Sequence, residues 1–285
     1  MKGIIFGLVV ALGLTACGTP RAASAAPTEV VSTALQATSV LKTAQADYTW
    51  AVTNKFPVDY PLTMHVAGMP PHTLQVEGTG TGEVVFPDRY RYRTTLRQGS
   101  FESRVEIVSI KGIAYEQDSA SVDLSTGKAT QTWSMRDPQG VLAVDPFKML
   151  QRLQGAAAVR DLGDTSLAGV AVHHYAIEID QAKLIAEETA ALTDVSLRPS
   201  LQDAMEKGRV QLEVWIGVDN NLIRRIRMDA TRIETVALHN GLTHTRLPPG
   251  ASDQGTVSHS DQIVLSLHDF DSRLTIAQPS PVRSG

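Results

Sequence analysis

The 285-residue chain holds one cysteine, Cys17, and eight histidines, and these are the first places to look for chemistry. A lone thiol serves as nucleophile, metal ligand or attachment point according to its surroundings. The histidines do not converge. His173 and His174 are adjacent, and on an extended strand neighbours point to opposite faces, so they cannot share one ion. His239 and His244 would need a helix to meet, yet Gly241 and the nearby Pro248-Pro249 oppose one, and His259 and His268 stand apart. There is no H-E-x-x-H string, no carboxylate at ligand spacing beside these imidazoles, and no G-x-S-x-G elbow. The run Gly78-Thr79-Gly80-Thr81-Gly82 has the glycine count of a phosphate loop but no following Lys-Ser/Thr. It sits inside a strand pattern, which predicts a bulge or a sharp bend instead. The expectation is a chain without catalytic residues, metal or cofactor.

Cys17 is different, because its neighbours give it a role. Lys2 supplies a short positive region, and Ile4 to Leu14 is apolar but too short to span a bilayer, as in a secretory signal peptide. Leu14-Thr15-Ala16-Cys17 then resembles the bacterial lipobox. That resemblance implies cleavage before Cys17 and a thioether-linked diacylglycerol on its sulfur. Acyl burial contributes ~0.8 kcal/mol per methylene, so more than one chain anchors a protein stably. Residues 1–16 are therefore expected to be signal peptide, and residues 17–29 a lipidated cysteine with a flexible tether. Residues 30–285 would form one folded domain on the extracytoplasmic side of a membrane. With Cys17 consumed, no disulfide remains possible within the monomer. The formal net charge of −4 offers no basic field for nucleic acid.

The elements that follow are mostly strands. A helical stripe of Val31, Leu35, Val40 and Leu41 predicts a helix over Val31 to Asp47. Beyond Tyr48 the period becomes two. Val76 to Phe86 and Arg89 to Leu96 flank Pro87-Asp88 as a hairpin, with strands at Phe101 to Ile110 and Gly112 to Gln117. A turn at Ser125 to Lys128 leads toward Trp133. His173, Tyr175, Ile177 and Ile179 alternate, as do Val210, Leu212, Val214 and Ile216. Asp219-Asn220-Asn221 turns the chain into Arg224 to Ala230, and Ile263, Leu265 and Leu267 mark a last strand. Three helical pieces intervene. Asp145-Pro146 begins one that Gly155 closes, Asp180 to Leu192 is a second, and Ser200 with Asp203 suggests a capping box for a third that ends at Gly208. Asn240 to Ser260 reads as a surface loop.

Strands with one apolar face, short turns and few helices predict an antiparallel sheet whose helices lie on one side. Such a sheet, if curved, readily leaves an apolar cavity. The ordered series Phe86-Pro87-Asp88-Arg89-Tyr90-Arg91-Tyr92, Lys111 to Tyr115, Asp145-Pro146-Phe147, Leu167 to Val170, His173-His174-Tyr175, Val210 to Ile216 and Leu222 to Arg225 follows the lipobox. In that order the chain resembles the LppX/LprG lipoprotein family within the wider LolA/LolB-like fold. Two stretches, Pro57 to Pro71 and Asn240 to Ser260, look like insertions relative to it.

The resemblance implies an α+β fold: a strongly curved antiparallel half-barrel with a few helices on its concave side, enclosing a lipid-sized cavity. It implies a lipid or acylated glycolipid as occupant, carried in or across the cell envelope, and a possible envelope transporter as partner. Domains of this fold also act as envelope-stress sensors with a protein partner, which is the main alternative; an enzyme is the weaker one. The inward alternating residues Val84, Phe86, Tyr92, Leu212 and Val214 are either plain core or, as a set on a concave face, cavity lining. Leu184, Leu201 and Met205 on the helical insert are candidate lid residues, methionine because its thioether adapts to varied partners.

Overall fold

A computed structural model describes residues 25–57, 72–117, 121–122, 129–130, 132–136, 145–192, 194–237, 254–280 and 282–283. Cys17, the Pro57 to Pro71 stretch beyond residue 57, the Ser125 to Lys128 turn, His239 and His244 lie outside them. The order begins α1 (Pro27–Ser39), β1 (Thr43–Lys55), β2 (Thr73–Val85), β3 (Arg89–Gln98), β4 (Phe101–Ile110) and β5 (Ile113–Gln117). It continues β6 (Ser121–Val122), β7 (Ala129–Thr130), β8 (Trp133–Arg136), α2 (Pro146–Gln154), β9 (Ala156–Leu167), β10 (Val170–Ile179) and α3 (Gln181–Ala191). A 3-10 turn (Val195–Leu197), α4 (Arg198–Glu206), β11 (Arg209–Gly217), β12 (Ile223–Ala237), β13 (Gln254–His268) and β14 (Val282–Arg283) complete it.

All strands but β6 and β7 join one twelve-stranded sheet in the order β14-β8-β5-β4-β3-β2-β1-β13-β12-β11-β10-β9. Every pairing in it is antiparallel except β14 with β8. The sheet wraps around its helices. Phe147 of α2 meets Tyr90 of β3 at 6.2 Å between ring centroids, while the same short helix also packs on β10. Six strand spacings of about 4.8 Å separate β3 from β10 along the sheet, so one nine-residue helix touches both only if the sheet curls. The fold is thus α+β, with its helices on the concave side.

Register organises the inner face into rows. Tyr175, Val214, Ile226, Leu265, Tyr48, Gly80 and Thr94 lie opposite one another across seven strands. The next row is Ile177, Leu212, Met228, Ile263, Trp50, Gly78 and Leu96. The glycines of β2 do not make a bulge: β2 pairs with β1 and with β3 without a register shift. Aromatic rings lie directly over them instead. A Cβ on Gly80 would clash with the Arg93 carbonyl oxygen and sit 2.7 Å from Tyr48 Cζ and its hydroxyl, and one on Gly78 would clash with Trp50 Nε1.

Several boundaries differ from the sequence expectation. The first helix stops at Ser39, and Thr43 to Asp47 open β1, because pairing with both β2 and β13 outweighs a weak helical stripe. Gln254 to Ser260 form strand where a loop was expected, since β12 and β1 hold that polar stretch on both sides. Arg224 to Ala230 is only part of a longer strand, and β9 carried no alternation to reveal it. Ser200 is not a cap: α4 begins at Arg198, and the Ser200 hydroxyl reaches Glu234 at 3.4 Å. The α2 signals hold. The Asp145 carboxylate accepts from the Phe147 and Lys148 amides at 2.9 and 3.2 Å, Pro146 fills the first turn, and Gly155 ends the helix.

Candidate functional site

The concave side is solid at one end and hollow at the other. At the solid end α1 and α2 press on the Tyr48 row, where Tyr48 and Tyr92 approach to 4.4 Å and Tyr90 and Tyr92 to 5.0 Å. Burial pushes the Tyr48 phenol up to about 12, against its bond to the Thr94 hydroxyl, and holds Tyr92 well above the ordinary phenol range. Burial, then the negative charge of Asp145, holds Tyr90 well above the ordinary phenol range. These rings stay neutral; Tyr48 and Tyr92 act as packing, and Tyr90 also borders the cavity beside them.

Further along the same face the α3–α4 pair rests on β12 and leaves space over the neighbouring strands. Between the Trp50 row and the α3–α4 pair lies a cavity of about 540 Å³. Its floor is Trp50, Val52, Val210, Met228, Ala230 and Ile263; Met149 forms one wall, and Leu184, Leu192, Leu201 and Met205 form the roof. The roof is a helical hairpin. Asp180 caps α3 by accepting from the Lys183 amide at 3.0 Å, and the Gln181 side-chain amide donates to the carbonyls of Met205 and Gly208 at 2.8 and 3.2 Å. Those bonds tie the start of α3 to the end of α4, and Leu184, Ile185 and Met205 pack as their own small cluster. Val210 packs against the same cluster and α4 rests on β12, so the roof touches the floor on one side and the cavity is the space left beside that contact.

The rim is charged. Arg152 donates from Nη2 to Glu188 Oε1 at 2.6 Å and points Nη1 at the Met228 sulfur, 2.7 Å away. Arg232 donates from Nη2 to Asp261 Oδ2 at 2.9 Å, and Lys148 lies one turn before Arg152. Positive and negative side chains balance around an apolar interior. The geometry suits enclosure of an apolar chain with its polar end at the rim.

Of the residues singled out from sequence, the structure brings Leu184, Leu201 and Met205 together over this cavity. Val84, Phe86, Tyr92, Leu212 and Val214 do not line it. Val84, Tyr92, Leu212 and Val214 are fully buried in the main core, and Phe86 packs edge-on against Phe147 at 5.8 Å. Val84, Tyr92 and Val214 lie in rows toward the end that α1 and α2 fill, whereas Leu212 shares the Trp50 row and is buried there within the main core. Trp50, Met228, Lys148 and Arg152 went unremarked in the sequence. An arginine four residues after a lysine on an amphipathic helix has no signature until the sheet curls around it.

The described histidines are dispersed. His173 pairs with Asp164, whereas His174 lies 3.2 Å from Glu213 and stacks on Trp215 at 4.2 Å. His259 bonds Asn54 and Glu234, and His268 bonds Asp269 and lies 3.2 Å from Asp47. Among the described residues no group of three His, Cys, Asp or Glu side chains is placed to hold a metal ion. No described helix is long and apolar enough to cross a membrane.

No protein-family profile matches the chain, and no curated protein matches its sequence. In structure it is similar to lipoprotein LppX of Mycobacterium tuberculosis, at 13% identity over 88% of this chain and 97% of that one, with a TM-score of 0.43. It is similar also to LprF of Mycobacterium bovis, at 12% identity over 90% and 97% with a TM-score of 0.41. A LolA-superfamily protein of Nitrosomonas europaea matches at 8% identity over 88% and 95%, with a TM-score of 0.22. At these values a functional reading has to rest on the cavity itself.

Proposed function

We propose that the chain is a membrane-anchored lipid-binding protein that shelters an acyl chain, as lipid or lipid-linked molecule, between its sheet and the α3–α4 roof. The observation that carries this is the apolar cavity of about 540 Å³, within the range of small-molecule sites and lined on three sides by aliphatic, methionine and indole groups. Three methionines, Met149, Met205 and Met228, give it a lining that reshapes around flexible chains. Water in such a space makes few hydrogen bonds, so exchanging it for methylenes is favourable by ~0.8 kcal/mol each. The protein then acts by solvation: an apolar phase spares a lipid the crossing of water, and no bond is made or broken. The Cys17 sequence would keep the carrier at its membrane, with lipid as its partner and no nucleic acid involved.

Titrating the full chain with the uncharged dye Nile red tests the cavity. Saturation near one dye per chain is expected, and an absence of binding would reject the reading. Feeding expressing cells a radioactive fatty acid tests the anchor separately. Label should enter the wild type and be lost from Cys17→Ser, and equal label in both would remove the anchoring half of the proposal.

A further inference from the structure

We infer that Arg152 is the docking point for the acyl oxygen of the molecule in the cavity, so that the occupant enters tail inward with a carboxylate or ester carbonyl at the rim. The inference rests on the cavity reading above and adds the chemistry of the ligand's polar end. A guanidinium carries five N–H donors and no acceptor, and its strong partners are oxygens. Arg152 has only 21% of its side chain exposed. One nitrogen, Nη2, is engaged by Glu188 at 2.6 Å, but Nη1 faces the thioether of Met228 at 2.7 Å. A thioether sulfur is a weak acceptor, so a half-buried charged donor is left with a poor partner. Arg232, at the other side of the rim, shows the contrast, since its partner is an Asp261 oxygen at 2.9 Å. Met228 has three rotatable bonds, so its thioether can turn aside for an incoming oxygen.

Lys148 adds to the same point. It precedes Arg152 by four residues, lines the same cavity, and its amine has no partner among the described residues. Both groups only donate, so the ligand atom that meets them must accept. Glu188 balances Arg152, which lets a neutral ester carbonyl serve as well as a carboxylate; the shared chemistry is an acyl oxygen. From there the tail has Leu201, Met205 and Ile263 ahead of it.

Displacement of Nile red from the full chain by palmitate, methyl palmitate and hexadecane tests this. The first two should displace at concentrations at least tenfold below hexadecane. Arg152→Met should weaken them ten- to a hundredfold, the worth of a hydrogen bond to a charged group, and leave hexadecane unchanged. Lys148→Met separates the sources: a loss for palmitate alone marks a carboxylate ligand, and no loss for either marks an ester carbonyl. Should Arg152→Met fail to fold, Glu188→Gln gives the converse, a gain for palmitate and none for hexadecane. Equal displacement by all three ligands in wild type, or an unchanged palmitate affinity in Arg152→Met or in Glu188→Gln, would overturn the inference and leave the cavity standing. Failure of the wild type to bind Nile red at all would overturn both.

Discussion

A pair of tryptophan substitutions distinguishes the solid end of the concave face from the hollow one. Val214 is fully buried on β11, paired between Tyr175 and Ile226, with all three in the main core. An indole at this position has no free volume to enter, so Val214→Trp should incur the upper end of the overpacking range, about 3 kcal/mol. For a domain of this size each kcal/mol lowers the melting temperature by roughly 2–4 °C, so a fall of about 6–12 °C is expected. Leu201 on α4 faces the cavity of about 540 Å³. At about 30 Å³ of liquid volume per water, that space holds more than ten waters, and an indole fits within it. Leu201→Trp should therefore change stability by less than ~1 kcal/mol, yet it should reduce Nile red binding because the new ring occupies the ligand's volume. Thermal unfolding and dye titration on the same two purified variants read both quantities. If Leu201→Trp destabilises as much as Val214→Trp and dye binding is unaffected, the roof is packed onto the floor in solution and the assignment of a hollow end is wrong.

Three further outcomes follow from particular contacts. Gly80→Ala should destabilise by ~1–3 kcal/mol in urea unfolding, because its methyl group meets the Arg93 carbonyl and the Tyr48 ring; a neutral result would mean the ring does not lie on the strand. Asp145→Ala should lose about 1 kcal/mol by uncapping two amides of α2, and Asp145→Asn should recover most of it. Alkali should unfold the protein selectively between pH 10 and 12. There the unfolded chain releases phenolic protons that burial makes Tyr48, Tyr90 and Tyr92 keep, so the folded state binds more protons and stability falls by up to ~1.4 kcal/mol per pH unit for each tyrosine. Urea midpoints that stay level from pH 9 to 11.5 would contradict the burial of these rings.

Much of the fold was legible where one residue type forces one conformation. Asp145-Pro146 begins a helix and Gly155 ends it, Asn221 takes a positive φ of 53° at the turn into β12, and Val210 to Ile216 alternate because one face is buried. What stayed hidden depends on partners distant in sequence. The β2 glycines read as a bulge or a sharp bend; the unbroken register excludes the bulge, and the overlying Trp50 and Tyr48 rings that require Gly78 and Gly80 come from β1 only once it pairs with β2. Strand β9 lies at the sheet edge with most side chains in solvent, so nothing enforces alternation along Ala156 to Leu167. The candidate site divided in the same way. Leu184, Leu201 and Met205 were legible as the apolar face of an insert with nothing local to cover, whereas Val84, Tyr92 and Val214 differ from Val210 and Ile263 only by which end of the inner face their strand position reaches.

Mass spectrometry of an organic extract of the purified full chain, with the Cys17→Ser form extracted beside it, tests the central claim most directly. A lipid or lipid-linked molecule bearing at least one long acyl chain, recovered from both at close to one per protein and reduced in Leu201→Trp, is the result expected. Extracts that contain no acyl compound beyond the lipid on Cys17, from a protein that also leaves Nile red in water, would contradict it.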